Sequence, residues 1–145
     1  MIKQLFIASS IASTLAFAGC ATMNNPSTDR NLALLQNKTW IVTQINDVKY
    51  KADPQQSDVP SLIFDNTQLS GTDGCNRLMG GYAVKGTQIT FSEIAKTRRA
   101  CLSPTNLPDK FTNALNQVTQ YKVSETELKL MDSNKNTVLE FKTQR

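Results

Sequence analysis

The chain has 145 residues, 39% of them hydrophobic, which is enough for one domain with a buried core. It contains no histidine, and this excludes Ser-His-Asp and Cys-His nucleophile pairs together with the usual zinc sites. The formal net charge is only +4 and there is no block of Lys or Arg, so we expect no nucleic-acid partner.

Residues 1–19 have the pattern of a bacterial export signal. Lys3 supplies a positive charge, and an apolar run from Leu5 to Phe17 ends in small residues before Cys20. The run is too short for a membrane-spanning helix. Its ending, FAGC, resembles the lipobox of bacterial lipoproteins, in which cleavage before the cysteine exposes a thiol that receives diacylglycerol. We predict lipidation of Cys20; ordinary signal cleavage and an uncleaved anchor are the alternatives.

Residues 20–33 are predicted to form a lipidated flexible tether, because residues 21–31 (ATMNNPSTDRN) are small and polar and lack a periodic apolar face. Lys3 is the one charged residue among 1–19, so the processed chain would carry a net charge of +3. By analogy, Ala21 after the cysteine fits the outer-membrane sorting of enteric-type bacteria. The expected location is the periplasmic face of the outer membrane, held there by the lipid.

From residue 34 onward, strand patterns alternate with turn signals. The first strand pattern, Thr39 to Ile45, includes Trp40, the single tryptophan of the chain. Further strands are predicted at 48–50, 61–64, 67–71, 82–84, 87–91, 121–123, 126–130 and 137–141. The hairpins at 82–91 and 121–130 share one pattern, which we interpret as the same hairpin chemistry used twice, not as a repeat array.

One helix is predicted at about residues 107–118. Asn106 is suited to cap it, Pro108 suits its first turn, and Asp109 suits the positive end of the helix dipole. Its apolar stripe has a spacing of three and four residues: Phe111, Ala114, Leu115 and Val118. We predict that this stripe lies in the core and covers one open end or face of a curled antiparallel sheet.

Four of the six glycines lie in residues 71–82 (GTDGCNRLMGGY), which predicts a tightly bent, closely packed passage between strands. The same stretch contains Cys75. If Cys20 carries lipid, Cys75 and Cys101 remain, and in an oxidising envelope such a pair is most simply a disulfide. A redox-active or metal-binding pair is the alternative, although the chain has neither a CxxC motif nor a histidine.

Asn76, Arg77, Arg98 and Arg99 are the candidate interaction residues. Because they flank the two cysteines, a disulfide would gather guanidinium groups from two segments into a basic rim. Such a rim suits a carboxylate, a phospholipid head group or a partner protein. In the competing structural interpretation, Asn76 adopts a left-handed conformation or bonds to the backbone of its own bend, and the arginines are a solvated surface.

No catalytic residue, metal site or cofactor is predicted. The chain has no P-loop or dinucleotide-binding fingerprint. Asp65, Asp73 and Glu93 lie near predicted turns or strand ends. Solvated or turn-bonding roles are therefore favoured for them over general acid or base work.

The order Gly74-Cys75-Asn76-Arg77, Gly81-Tyr82 and Thr97 to Ala100-Cys101, with a helix and two strands after it, resembles the META domain. That family includes the heat-inducible HslJ-type bacterial lipoproteins. The likeness covers nearly all of residues 34–145, although Arg99 stands where a methionine is expected. It implies an α+β fold, a mainly antiparallel sheet curled into an open barrel with one helix. The resemblance implies no established catalytic activity. It does imply a link to envelope stress and virulence, and a fold similar to that of lipid-binding secretion pilotins.

The predicted function is that of a non-enzymatic envelope lipoprotein, a stress-related module for partner binding or envelope maintenance. Its partner would be an envelope protein or a lipid. The alternative is a carrier of a lipid or other apolar ligand in a cavity between helix and sheet. An empty cavity under Phe111 and Leu115 would favour the carrier, and a filled core would favour the binding module.

Overall fold

The computed structural model describes residues 26–51, 59–101 and 106–143. The elements in these ranges, in chain order, are α1 (Pro26–Leu35), β1 (Thr39–Ile45), β2 (Val48–Lys49), β3 (Ser61–Asp65), β4 (Gln68–Thr72), β5 (Arg77–Lys85), β6 (Gln88–Phe91), β7 (Ala95–Lys96), α2 (Leu107–Leu115), β8 (Gln120–Val123), β9 (Glu127–Met131) and β10 (Thr137–Thr143). Every pairing between these strands is antiparallel. The predicted α+β class and the predicted hairpins are confirmed.

The sheet is a closed barrel, and the prediction of an open barrel with one helix is wrong. Eight strands follow one another around the wall in the order β1, β3, β4, β5, β6, β8, β9 and β10, and β10 pairs back with β1. The closing register runs from Trp40 opposite Thr143 to Ile45 opposite Leu139, with a bulge between Val42 and Gln44. The short strands β2 and β7 pair with β1 and β5 outside this circuit.

Large side chains fill the inside of the barrel. Period-two alternation turns one face of each strand inward, and the largest of the buried side chains are Trp40, Phe64, Phe111, Tyr121 and Phe141, each at most 2% exposed. The rings of Phe111 and Phe141 meet edge to face with centroids 6.2 Å apart. Burial of this apolar surface is the main force that holds the barrel together.

Helix α2 ends at Leu115, three residues earlier than predicted. The N–H groups of Gln117 and Val118 donate to carbonyls three residues back, which tightens and ends the last turn. Phe111 and Leu115 are buried as expected, and Val118 packs beside them at 8% exposure. The expected side-chain cap by Asn106 is wrong. Asn106 has a left-handed φ of 50° and makes no side-chain capping bond.

Helix α1 lies where a flexible tether was expected, so that prediction is wrong for residues 26–33. The helix brings Leu35 into the core, fully buried, and the Leu35 carbonyl accepts the indole N–H of Trp40 at 2.8 Å. Just after it, the Gln36 amide donates to the hydroxyl of Tyr82 at 2.6 Å. The helix has little local signal in the sequence, because its aliphatic residues are confined to 32–35. Cys20 and the predicted signal lie outside the described residues.

Candidate functional site

The turn between β4 and β5 is built around a buried carboxylate. Asp73 is fully buried, and its Oδ1 accepts the backbone N–H groups of Cys75 at 2.9 Å and Asn76 at 2.6 Å. Its Oδ2 accepts the Asn76 side-chain amide at 3.1 Å. Gly74 completes the turn with a φ of 93°, a conformation that L side chains rarely adopt. Asp73 therefore has the predicted turn-bonding role, and its two oxygens are occupied.

The glycine-rich stretch is closely packed, as predicted. A Cβ at Gly71 would collide with the carbonyl oxygen of Ser61 on the neighbouring strand β3. However, the strand after the turn begins at Arg77 and not at Tyr82. The glycines Gly80 and Gly81 therefore lie within β5 and not in a separate bend.

Cys75 and Cys101 form a disulfide, with Cα atoms 6.0 Å apart across a sequence separation of 26 residues. Hydrogen bonds beside it join the same two segments. Asn76 Oδ1 accepts the backbone N–H of Arg99 at 2.9 Å. Thr97 Oγ1 accepts the N–H of Arg77 at 3.0 Å, and the Thr97 N–H donates to the Arg77 carbonyl at 3.1 Å. The segment after β7 is thus fixed to the start of β5.

Three exposed arginines, Arg77, Arg98 and Arg99, lie on these joined segments, and we call them the basic surface. The ion pairs found in the described ranges join Lys129 to Glu140 and Lys142 to Glu127, so none involves these arginines. Asn76 is used structurally, between the Asp73 carboxylate and the Arg99 backbone. The guanidinium groups therefore face solvent, and their use in binding stays a prediction.

Two tyrosines, Tyr82 and Tyr121, are buried in the core. Burial raises the pKa of Tyr82; the hydrogen bond from Gln36 opposes this shift and the charge of Asp65 adds to it. Burial also raises the pKa of Tyr121, and its hydroxyl has no hydrogen-bond partner within the described residues. No group of three or more potential metal ligands occurs in the part of the chain that the structure describes. Neither of the described helices is long and apolar enough to span a bilayer.

An open groove of about 610 Å³ lies between β6 and the end of α2. Six of its eleven lining residues are polar: Gln88, Thr90, Ser92, Glu93, Asn116 and Thr119. Phe111 and Leu115 are themselves buried, at most 1% exposed, and Leu115 is also one of the residues that line this open groove. The groove and the β6 edge beside it were not anticipated, because they depend on where β6 and β8 separate.

The hydrogen bonds of Thr97 to Arg77 were not predicted from the sequence, in which Thr97 belongs only to the META-like motif. A threonine in an exposed segment gives no local sign of the strand that it will meet. Its likeness to the motif was the only available signal, and the structure supplies the reason for it through the paired bonds to Arg77.

This architecture defines a class of small, disulfide-linked antiparallel barrels with two flanking helices. The sequence pattern of the META domain family matches residues 33–145. The chain belongs to the META domain family, as the resemblance indicated. That family is not known for an enzymatic activity.

Solved structures of similar proteins have the same fold. An NMR structure of a protein from Burkholderia xenovorans has 24% sequence identity and a TM-score of 0.63, with 99% of each chain covered. A crystal structure of a DUF4847 family protein from Bacteroides vulgatus has 15% identity and a TM-score of 0.59, with 76% of this chain and 94% of that chain covered. These identities show the fold alone. No curated protein matches the chain.

Proposed function

We propose that the protein is a non-enzymatic, lipid-anchored binding protein of the bacterial envelope that captures an acidic partner protein through its basic surface. One observation carries this proposal. Arg77, Arg98 and Arg99 are all exposed on two cross-linked segments, and no carboxylate is paired with them among the described residues.

The chemistry of arginine favours a carboxylate-bearing partner. Guanidinium groups on neighbouring segments repel one another until an anion lies between them, and their planar donors match carboxylates in two-bond geometry. The Cys75–Cys101 bond prevents the two segments from separating to relieve that repulsion. An acidic segment of an envelope protein presents several carboxylates at once and so matches a surface of several arginines.

The partner experiment compares two triple variants of the full chain by cross-linking in the native envelope. One replaces Arg77, Arg98 and Arg99 with alanine. The control replaces three other exposed basic residues, Lys85, Lys110 and Lys122, with alanine. It removes the same number of positive charges at a distance from the basic surface in the sequence. We expect the arginine variant to lose capture of a defined partner by about tenfold or more and the lysine variant to retain it. Capture should also weaken as salt rises.

Two outcomes would contradict the partner proposal. Equal losses in both triple variants would mean that overall charge, not the basic surface, is responsible. Binding of the purified protein to phosphatidylglycerol vesicles, lost in the arginine variant without loss of any protein cross-link, would assign the surface to a lipid head group instead.

The membrane anchor has a separate test. Cys20→Ser removes the thiol that would receive diacylglycerol, so this variant should leave the membrane fraction while the original chain stays in it. If the variant is processed and fractionates like the original, the lipidation proposal is wrong.

A further inference from the structure

Two exposed large hydrophobic side chains lie on the outer face of the barrel. Met79 on β5 is 62% exposed, and Ile63 on β3 is 37% exposed. Ser70 on β4, which lies between these strands, is directly opposite both residues in the strand register. Residues that lie opposite one another on antiparallel strands point to the same face. Ile63 and Met79 therefore belong to one outward row across three strands, and we call them the apolar pair.

The apolar pair is continuous with the basic surface. Strand β7 pairs with β5 so that Ala95 lies opposite Met79, and two residues further on Thr97 bonds to Arg77. The other two arginines follow Thr97 along the same segment. Arg77 and Met79 are two residues apart on β5, so their side chains leave the same face of the strand, roughly 7 Å apart. The positive charges thus lie at one end of the β5–β7 pair and Met79 lies beside them.

The side chains around Met79 are short. Its direct cross-strand neighbours, Ser70 and Ala95, are both exposed, and the next outward position on β5 is Gly81. Met79 consequently projects beyond its surroundings. Its unbranched thioether adapts to irregular apolar shapes, and methionine is common on adaptable binding surfaces for this reason.

We propose that the basic surface and the apolar pair form one docking surface for an acidic protein segment that carries an apolar residue beside its carboxylates. The inference rests on the proposed function, since the arginines hold the carboxylates, and it adds the feature by which the partner is chosen. The apolar side chain of the segment packs on Met79, with Ile63 at the edge of the contact.

Charge alone would not select one acidic segment over another. Exposed ion pairs contribute little and are screened by salt, whereas an apolar contact on Met79 removes surface from water and distinguishes segments of equal charge. In an extended segment, residues two positions apart also lie roughly 7 Å apart on one side. The apolar residue is therefore expected two positions from a carboxylate, which matches the spacing of Met79 from Arg77.

The probe is the acetylated, amidated hexapeptide Glu-Asp-Glu-Ser-Leu-Ser, titrated into the full chain labelled with ¹³C at the methionine methyl groups. We expect a saturable shift of the Met79 methyl signal, which is assigned by its loss in Met79→Leu. The signal of Met131 on β9 should not move. Replacing the leucine of the peptide with serine keeps all three carboxylates and should weaken binding about fivefold.

Variants of exposed residues locate the contact without disturbing the core. Met79→Ala should weaken the leucine peptide about fivefold and leave the serine peptide unchanged, because the two changes remove the same contact. Met79→Leu keeps a large apolar side chain and should retain binding within about twofold. Val48→Ala is the matched control, since Val48 is 53% exposed on β2, and it should change neither affinity.

The results separate this inference from the proposed function. Equal affinity for the leucine and serine peptides, with both lost in the triple arginine variant, would keep the acidic partner and overturn the apolar contact. Unchanged binding of the leucine peptide by that arginine variant would contradict the proposed function and the shared docking surface with it.

Two further results would overturn the inference alone. One is the absence of saturable binding at millimolar leucine peptide, while the cross-linking experiment still judges the proposed function. The other is binding to phosphatidylglycerol vesicles that is lost in Met79→Ala, without any coupling between Met79 and the leucine of the peptide. That result would assign the apolar pair to a membrane surface.

Discussion

Two acidic residues, Asp73 and Asp132, organise turns in the same way at different hairpins. Each accepts backbone N–H groups with one carboxylate oxygen and the side-chain amide of a following asparagine with the other. The partners are Asn76 and Asn136. The sequence predicted a turn role for Asp73 from its position, but it could not predict the asparagine partner. That contact depends on turn conformation, which at Gly74 requires a positive φ.

Removal of the buried carboxylate should destabilise the domain. Asp73→Ala leaves the N–H groups of Cys75 and Asn76 and one side-chain amide without their acceptor. Hydrogen bonds to charged groups contribute more than neutral ones, so we expect a loss of about 2–3 kcal/mol in the free energy of unfolding. Asp47→Ala changes an exposed acid in another turn and should cost less than about 0.5 kcal/mol. Urea denaturation measures both. Equal effects would mean that the Asp73 bonds contribute no net stability.

Asp132 gives the protein a defined response to acid. Hydrogen bonds from the Asn136 side chain and backbone, with a smaller one from Asn134, hold the pKa of its carboxyl below the ordinary value of 3.8. The stability contributed by this lowered pKa is present above the unfolded-state pKa and is lost as pH falls through the folded-state pKa. Asp132→Asn should therefore lose less stability than the wild type between pH 5 and about pH 2. Parallel curves of unfolding midpoint against pH would contradict the assignment.

At the scale of elements, local patterns predicted most strands, and long-range contacts decided the rest. The hairpins at 82–91 and 121–130 correspond to β5–β6 and β8–β9, because their alternation and turn residues are local signals. Helix α1 was missed, since its aliphatic residues are confined to 32–35 and its place is set by contacts such as that of Leu35 with Trp40. At the basic surface, the proximity of the segments was predictable from the cysteines, while the bonding of Thr97 was not.

The apolar stripe of α2 should contribute strongly to stability. Phe111 and Leu115 are at most 1% exposed, so truncation of either leaves a cavity as well as removing a buried side chain. We expect Phe111→Ala to cost about 3–5 kcal/mol and Leu115→Ala about 2–5 kcal/mol in the free energy of unfolding. Val48→Ala, at a residue 53% exposed, is the control and should cost less than about 0.5 kcal/mol. A cost that small at Phe111 would mean that the stripe is not part of the core.

At the scale of the whole molecule, closure of the barrel joins the two ends of the described domain. Strand β1 near its beginning pairs with β10 at its end, so each wall strand has a neighbour on both sides in the described ranges. Both strands were predicted from their local patterns, at 39–45 and 137–141. Closure was not predictable, because it depends on strand tilt and stagger around the whole circuit, which no single segment encodes.

The Cys75–Cys101 disulfide connects this barrel to the segment that carries Arg98 and Arg99. Its removal should show that partner binding can be lost while the domain remains folded. In the chain-entropy model, a cross-link across 26 residues stabilises the fold by about 3.5 kcal/mol. The double variant Cys75→Ser with Cys101→Ser should lose about that amount and still fold, because the barrel pairings do not pass through the cysteines. Arg77 remains on β5, whereas Arg98 and Arg99 would be held only by the bond from Arg99 to Asn76 and the two bonds between Arg77 and Thr97. Partner capture should therefore fall even under conditions in which circular dichroism shows a folded domain. Full capture by that folded variant would show that the basic surface does not need the cross-link, and the arginine proposal would then rest on Arg77 alone.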